Sequence, residues 1–236
     1  MIEQYVNTIQ NMDCLEFMKQ LPDNCIDCIV TDPPYNISRE TNFNTMKNHR
    51  GTSMDFGYWD KDFDIIEFIS FLPKILKESA NIVIFNSWKN IGDIAKQMRI
   101  NEIEPKRSLV IRKSNPAPFN RDRLFVNDLE FAVWGVFKNK DWVFNRQNDL
   151  QKCFFDTQVQ NKDLHPTMKD IVVIADLIKI LSNENDIIFD PFIGSGTTAI
   201  ACLETKRRYI GCELDKGYFD IAQKRIDDYN KQLKLF

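Results

Sequence analysis

No apolar run in this chain approaches the roughly 20 residues of a membrane-spanning helix. Its first residues, Met1-Ile2-Glu3-Gln4, have neither the basic start nor the apolar core of a secretory leader. Histidine is nearly absent: His49 and His165 are the only two in 236 residues, which leaves imidazole-based zinc chemistry little to work with. Six cysteines are scattered at 14, 25, 28, 153, 202 and 212. Only Cys25 and Cys28 have the spacing of a metal knuckle or redox pair, and no second pair accompanies them. Small buried hydrophobes are the better reading, and no metal site is expected. Positive charge is not in excess either. Lys and Arg number 31 against 34 Asp and Glu, a formal net charge of −3, so the chain as a whole does not advertise a nucleic-acid binder. Internal repeats and low-complexity tracts are missing too. These absences leave a cytoplasmic, metal-free protein as the expectation.

What is present is an ordinary globular composition, 43% hydrophobic and 28% charged, enough for one domain over 1–236 with a substantial core. The charge is unevenly spread. Between Arg99 and Arg146 ten basic residues stand against six acidic ones, a basic band able to hold phosphates or simply to face solvent. Strands are expected at Tyr5 to Ile9, Ile26 to Thr31, Asn81 to Asn86, Ser108 to Arg112, Leu129 to Phe137, Ile187 to Phe189 and Arg208 to Cys212. Helices are expected at Leu15 to Leu21, from Asp64 through Pro73 to Glu78, at Trp88 to Arg99, Thr167 to Leu181, Thr197 to Glu204 and Lys216 to Leu235. This alternation predicts an α/β fold with a doubly wound, mostly parallel sheet. The polar stretch 38–60 has no pattern, which inside a compact domain marks a functional or mobile loop.

Two strand ends carry chemistry. Asp186-Ile187-Ile188-Phe189 runs into Asp190-Pro191-Phe192-Ile193-Gly194-Ser195-Gly196-Thr197-Thr198. Gly194 and Gly196 allow a tight turn, and the helix that starts at Thr197 offers free N–H groups to an anion. A nicotinamide dinucleotide site is the obvious competitor. Asp190-Pro191-Phe192 ahead of the glycines suits a zwitterion better, with a carboxylate for an ammonium group and N–H groups for a carboxylate. Glu213, seventeen residues after Gly196, ends the next strand, where an acidic side chain takes ribose hydroxyls in either kind of site. Asp13 is a third carboxylate on the same edge, or the N-cap of the helix that follows it. The other strand end is Ile26 to Val30 followed by Thr31-Asp32-Pro33-Pro34-Tyr35-Asn36.

The Asp32-Pro33-Pro34-Tyr35 and Asp190-Pro191-Phe192 loops, in this order, resemble the catalytic and cofactor loops of the circularly permuted beta group of amino-group DNA methyltransferases. The similarity is closest to small N6-adenine enzymes and runs from Met12 to about Phe219. It implies a Rossmann-like methyltransferase fold, S-adenosylmethionine as cofactor and double-stranded DNA as substrate. Asp32, Pro33, Pro34 and Tyr35 would then be catalytic. Asp32 and the Pro33 carbonyl would accept the two N–H protons of an exocyclic amine, and Tyr35 would offer a flat face to a flipped-out base. Asp13, Asp32, Asp190, Phe192, Gly194, Ser195, Gly196, Thr197 and Glu213 would hold the cofactor. His165-Pro166-Thr167-Met168-Lys169 resembles the family's His-Pro-Thr-Gln-Lys-Pro segment and adds Thr167 and Lys169 to that set.

Target recognition falls by position to 141–161, with help from 38–60. Lys47, His49, Arg50, Arg121, Arg123 and Arg146 are the candidate DNA contacts. N4-cytosine methylation, RNA adenine methylation and a non-catalytic binding subunit stay open as alternatives. A homodimer and a cognate restriction endonuclease are further partners the family would supply, though no apolar stripe commits the chain to a dimer.

Overall fold

The computed structural model describes residues 2–35, 63–116, 122–157 and 169–233. The first strand, β1 (Thr8–Asn11), is followed by α1 (Cys14–Gln20), β2 (Ile26–Thr31), α2 (Ile65–Ile75), β3 (Leu76–Asn86) and α3 (Ile91–Ile100). Then come β4 (Ile103–Arg112), β5 (Leu129–Phe137), β6 (Phe154–Asp156), α4 (Ile171–Leu181), β7 (Ile187–Asp190), α5 (Thr197–Glu204), β8 (Arg208–Glu213) and α6 (Lys216–Leu233). The strands form one sheet in the order β1-β8-β7-β2-β3-β5-β4-β6. It is parallel except where β5 pairs antiparallel with β3 and β4. The expected doubly wound α/β fold is therefore the observed one.

Successive residues of the central strands enter opposite cores, as the strand period of two requires. Val83 and Phe85 pack with α4, α5 and α6, whereas Ile82 and Ile84 pack with α1, α2 and α3. Along β2 the alternation holds from Cys28 on, with Cys28 and Val30 in the first core and Ile29 in the second. Ile26 also joins the second core, across a register shift between Ile26 and Cys28. Cys25 joins the second core while Cys28 lies in the first, so the pair divides between two apolar interiors. Burial pushes the Cys25 thiol up to about 11 and the Cys28 thiol higher still. Among the described residues no helix is long and apolar enough to cross a membrane.

Several expected boundaries move. Residues 5–7 form a turn after a short 3-10 helix at Ile2–Gln4, and β1 begins only at Thr8. The helix entered at Asp64 does not continue to Glu78. It stops at Ile75, two residues after Pro73, and β3 begins at once, pairing Leu76 with Ile26 of β2. α4 starts at Ile171 behind an Asp170 cap, later than the expected Thr167, a residue outside the described ones. β4 starts at Ile103, five residues early. Within the stretch read as irregular, Phe154–Asp156 adds a strand to β4.

The order of the strands fixes where a ligand can bind. From β2 the chain goes through α2 to β3 on one side; from β7 it goes through α5 to β8 on the other. These crossovers diverge between the two adjacent strands, which opens a crevice beyond their carboxyl ends. The residues at those ends are Asp32 and Asp190.

Candidate active site

Thr31 ties the two strand ends together. Its hydroxyl donates to Asp190 Oδ1 at 2.8 Å across the crevice. Asp190 also takes the Phe192 N–H on Oδ1 at 3.1 Å and the Thr198 hydroxyl on Oδ2 at 2.6 Å. Burial raises the Asp190 carboxyl to about 6, against the opposing pull of these three donors. Three of its roughly four lone-pair positions are thus used to shape the loop, which leaves room for one ligand group.

The loop itself turns at Gly194 (φ +51°) and Gly196 (φ +85°). A Cβ on Gly196 would meet Ala222 of α6 at 3.2 Å, so this glycine is required for its backbone and for close packing on α6. It does not line the cavity. Ser195 does, and it is held from behind by the Arg225 guanidinium, which donates to its carbonyl and, at 3.1 Å, to its hydroxyl. Glu213 closes the far wall. Its Oε2 accepts the Gly194 N–H at 3.0 Å and its Oε1 the Asp215 N–H at 2.9 Å. Asp13 caps α1, accepting from the Leu15 and Glu16 N–H groups through Oδ1. The cap and the cavity-lining position coexist in the same side chain, because among the described residues no hydrogen bond engages its Oδ2.

Asp13, Asp32, Phe192, Gly194, Ser195, Thr197 and Glu213 line one cavity of about 450 Å³, together with Asp190 and Lys169. Its size suits a drug-sized ligand, and its chemistry is apolar with a few convergent carboxylates. Phe192 stacks edge-on to Phe63 and Phe68, which fixes its ring at the cavity wall. A larger cavity of about 650 Å³ lies elsewhere, between the C-terminal half of α4 and the strands β4, β5 and β6. Its lining is apolar, aromatic and basic, and none of the strand-end carboxylates reaches it.

The loop that begins at Asp32 is crowded with charge. Asp32 Oδ2 accepts from Lys169 Nζ at 2.9 Å, and Asp32 Oδ1 takes a short hydrogen bond from the Tyr35 hydroxyl. The Tyr35 carbonyl is held in turn by Asn90 Nδ2 at 3.3 Å. Lys169, expected to touch cofactor, lines the cavity and also stands between Asp32 and Glu130, with Glu130 Oε2 at 3.1 Å. Burial alone would pull Lys169 down, but Asp32, Tyr35 and Glu130 hold it well above its ordinary value. Burial and the neighbouring Asp32 keep Tyr35 protonated. Thr31, Asn90 and Glu130 escaped the sequence reading. The first sits one residue before a motif, and the other two lie on elements that carry no motif.

The DNA candidates fare unevenly. Lys47, His49, Arg50 and Arg121 lie outside the described residues, as do Thr167 and the whole of 38–60. Arg123 is exposed in the turn before β5, at the same end of the sheet as Asp32. Arg146 is not. Its neighbour Asn145 bonds the Ile180, Lys179 and Ser182 carbonyls at the C-terminus of α4, the end opposite Lys169. An 11-residue helix is about 16 Å long, so the structure does not bring Arg146 to the Asp32 end.

A family model described as DNA methylase matches residues 26–224. The chain belongs to the DNA methylase family. Among the relatives of this methylase, the type II methyltransferase M.HinfI of Haemophilus influenzae is 29% identical over 250 residues, spanning 95% of this chain and 69% of its own. The type II methyltransferase M2.MboI of Moraxella bovis is 28% identical over 94% of this chain and 88% of its own. The solved M1.HpyAVI–SAM complex superposes on the methylase with a TM-score of 0.73 and 33% identity, over 92% of this chain and 98% of that one. The cytosine-N4-specific PvuII methyltransferase shares the fold at a TM-score of 0.70 and 17% identity.

Glu213 offers the cleanest test of the cofactor wall. Glu213→Ala is expected to weaken cofactor binding by about 1.5–3 kcal/mol, through lost hydrogen bonds to a charged acceptor. Calorimetric titration with S-adenosylmethionine checks it, and an unchanged dissociation constant would remove Glu213 from the site.

Proposed function

We propose that this methylase transfers a methyl group from S-adenosylmethionine to the N6 amine of an adenine flipped out of a specific double-stranded DNA sequence. The observation that carries the reading is the pairing of Asp32 and Asp190 on adjacent strand ends, bridged by Thr31, above one cavity. The residues fit the cofactor. Asp190 keeps one acceptor position that would take its ammonium group, Glu213 would accept from ribose hydroxyls, and Asp13 Oδ2 would be free to accept from the adenine amine. Bound there, S-adenosylmethionine supplies an activated methyl group.

The chain supplies the rest. An exocyclic amine is a weak nucleophile because its lone pair is delocalised into the ring. Asp32 and the Pro33 carbonyl accept its two N–H protons, which draws the nitrogen toward tetrahedral geometry and stabilises the positive charge that develops there. Pro33 and Pro34 lack N–H groups, so the loop cannot fold back into the sheet. Tyr35 stays neutral and lays its ring against the base. Asp first in this loop, as in small N6-adenine members of the family, favours adenine over cytosine. The DNA approaches the carboxyl edge of the sheet, where β4 ends at Arg112 and Lys113 follows, and where Arg123, Leu124 and Phe125 are exposed in the turn before β5. Apolar side chains flanked by arginine suit insertion beside a flipped base.

The deciding experiment is mass spectrometry of nucleosides from unmethylated DNA after incubation with the protein and S-adenosylmethionine. N6-methyladenine is the expected product. N4-methylcytosine would keep the mechanism and overturn the base, and an absence of any methylated nucleoside would overturn the function.

A further inference from the structure

Both oxygens of Asp32 are already taken: Oδ1 by the Tyr35 hydroxyl and Oδ2 by Lys169. Each oxygen keeps a second lone pair, but a carboxylate shared with a hydroxyl and an ammonium group is a weakened acceptor, so a target amine gains most by replacing one of them. Lys169 is the harder to strip of its partner, since its side chain is only 15% exposed and an unpaired ammonium group in such surroundings is costly. Glu130 removes that obstacle. It projects from β5 opposite Ile111 of β4, touches neither motif loop, and already holds the same ammonium group at 3.1 Å. Its other oxygen is fixed by Lys113 at 2.8 Å.

We propose that Glu130 is a positioning residue for methyl transfer, an alternative counter-ion that retains Lys169 while Asp32 exchanges the lysine for the target amine. The proposal rests on the reading of Asp32 as the amine acceptor. Asp32, Glu130, Lys169 and Lys113 together form a neutral network, and Lys169 keeps a counter-ion in Glu130 once Asp32 lets it go. The Asp32 carboxylate charge is then left to face the nitrogen as it becomes cationic. Glu130 is ionised in this state. Burial would raise its carboxyl, but Lys169 and Lys113 outweigh that and hold it at about 2.

The test compares wild type, Glu130→Gln and Glu130→Asp on unmethylated DNA at saturating S-adenosylmethionine, with rates taken per cofactor-binding site so that misfolded protein does not count. Glu130→Gln keeps shape and loses charge. Its kcat is expected to fall by about 10- to 100-fold, on the scale of a lost electrostatic contact in a transition state, while the calorimetric Kd for S-adenosylmethionine stays within about twofold. Glu130→Asp, which keeps the charge, is expected to recover most of that loss. A Glu130→Gln rate within threefold of wild type overturns the proposal. Equal losses in the two variants, or a loss matched by a weaker Kd, also overturn it, because packing or cofactor binding then accounts for the effect. Wild-type protein that methylates no base overturns the underlying reading of Asp32 instead, and Glu130's role with it.

Discussion

Asp32→Ala is expected to lower methyl transfer by about 10³-fold or more while S-adenosylmethionine still binds. The size of the effect follows from what the side chain does. A delocalised amine gains nucleophilicity only when a strong acceptor draws its N–H proton away from the ring plane, and a carboxylate is roughly twice as good an acceptor as a neutral group. No other described carboxylate stands at the same strand end without being committed elsewhere. Glu130 is engaged by two lysines, and Asp190 by two hydroxyls and an N–H. The fold tolerates the change, because Lys169 keeps Glu130 as its counter-ion. Asp32→Asn separates charge from shape. It retains one acceptor oxygen, so residual activity above the alanine variant but well below wild type is expected. Either variant turning over within tenfold of wild type would sink the mechanism.

The parts of this site that were legible in the sequence share a physical cause. A strand that is buried on both faces must be apolar until it ends, so a sudden carboxylate followed by prolines or glycines stands out at Asp32 and Asp190. The doubly wound fold could be read for the same reason, since β2, β7 and β8 are short apolar runs and their helices are amphipathic. Legibility failed where a residue's role depends on a partner far away in the chain. Glu130 looks like an ordinary polar position on a half-buried strand until Lys169, 39 residues later, is brought onto it. Thr31 looks like strand filler until β7 places Asp190 beside β2. Arg146 shows the opposite case. It belongs to a basic band in sequence, but Asn145 and Asn81 bind this stretch to the C-terminal end of α4. The helix ending at Ile75 shows local competition. Pro73 sits within its last turn, and pairing with β2 takes over the residues that follow.

Asp190 carries the other large effect. Asp190→Ala would leave the Thr31 and Thr198 hydroxyls and the Phe192 N–H without their acceptor inside a closed site, a cost of about 3 kcal/mol or more. Cofactor binding should be lost with it, because the same carboxylate holds the loop and, on the proposed reading, accepts the ammonium group. The pH dependence distinguishes these two jobs. The Asp190 carboxyl is raised to about 6 by burial, above its unfolded value of about 3.9. The folded chain therefore binds this proton more tightly than the unfolded chain. The stability contributed by protonated Asp190 is fully present below about pH 4 and is lost as pH rises through about 6. Cofactor affinity runs the other way. An ammonium group needs the ionised carboxylate, so S-adenosylmethionine binding should strengthen as pH rises from about 5 to 7. Calorimetric titrations across that range, paired with thermal unfolding of the free protein, measure both slopes. Opposite slopes in the wild-type protein, both flattened in Asp190→Asn, would establish that one buried carboxylate shapes the loop and receives the ligand. Cofactor affinity independent of pH in the wild-type protein would leave Asp190 a purely structural part of the turn.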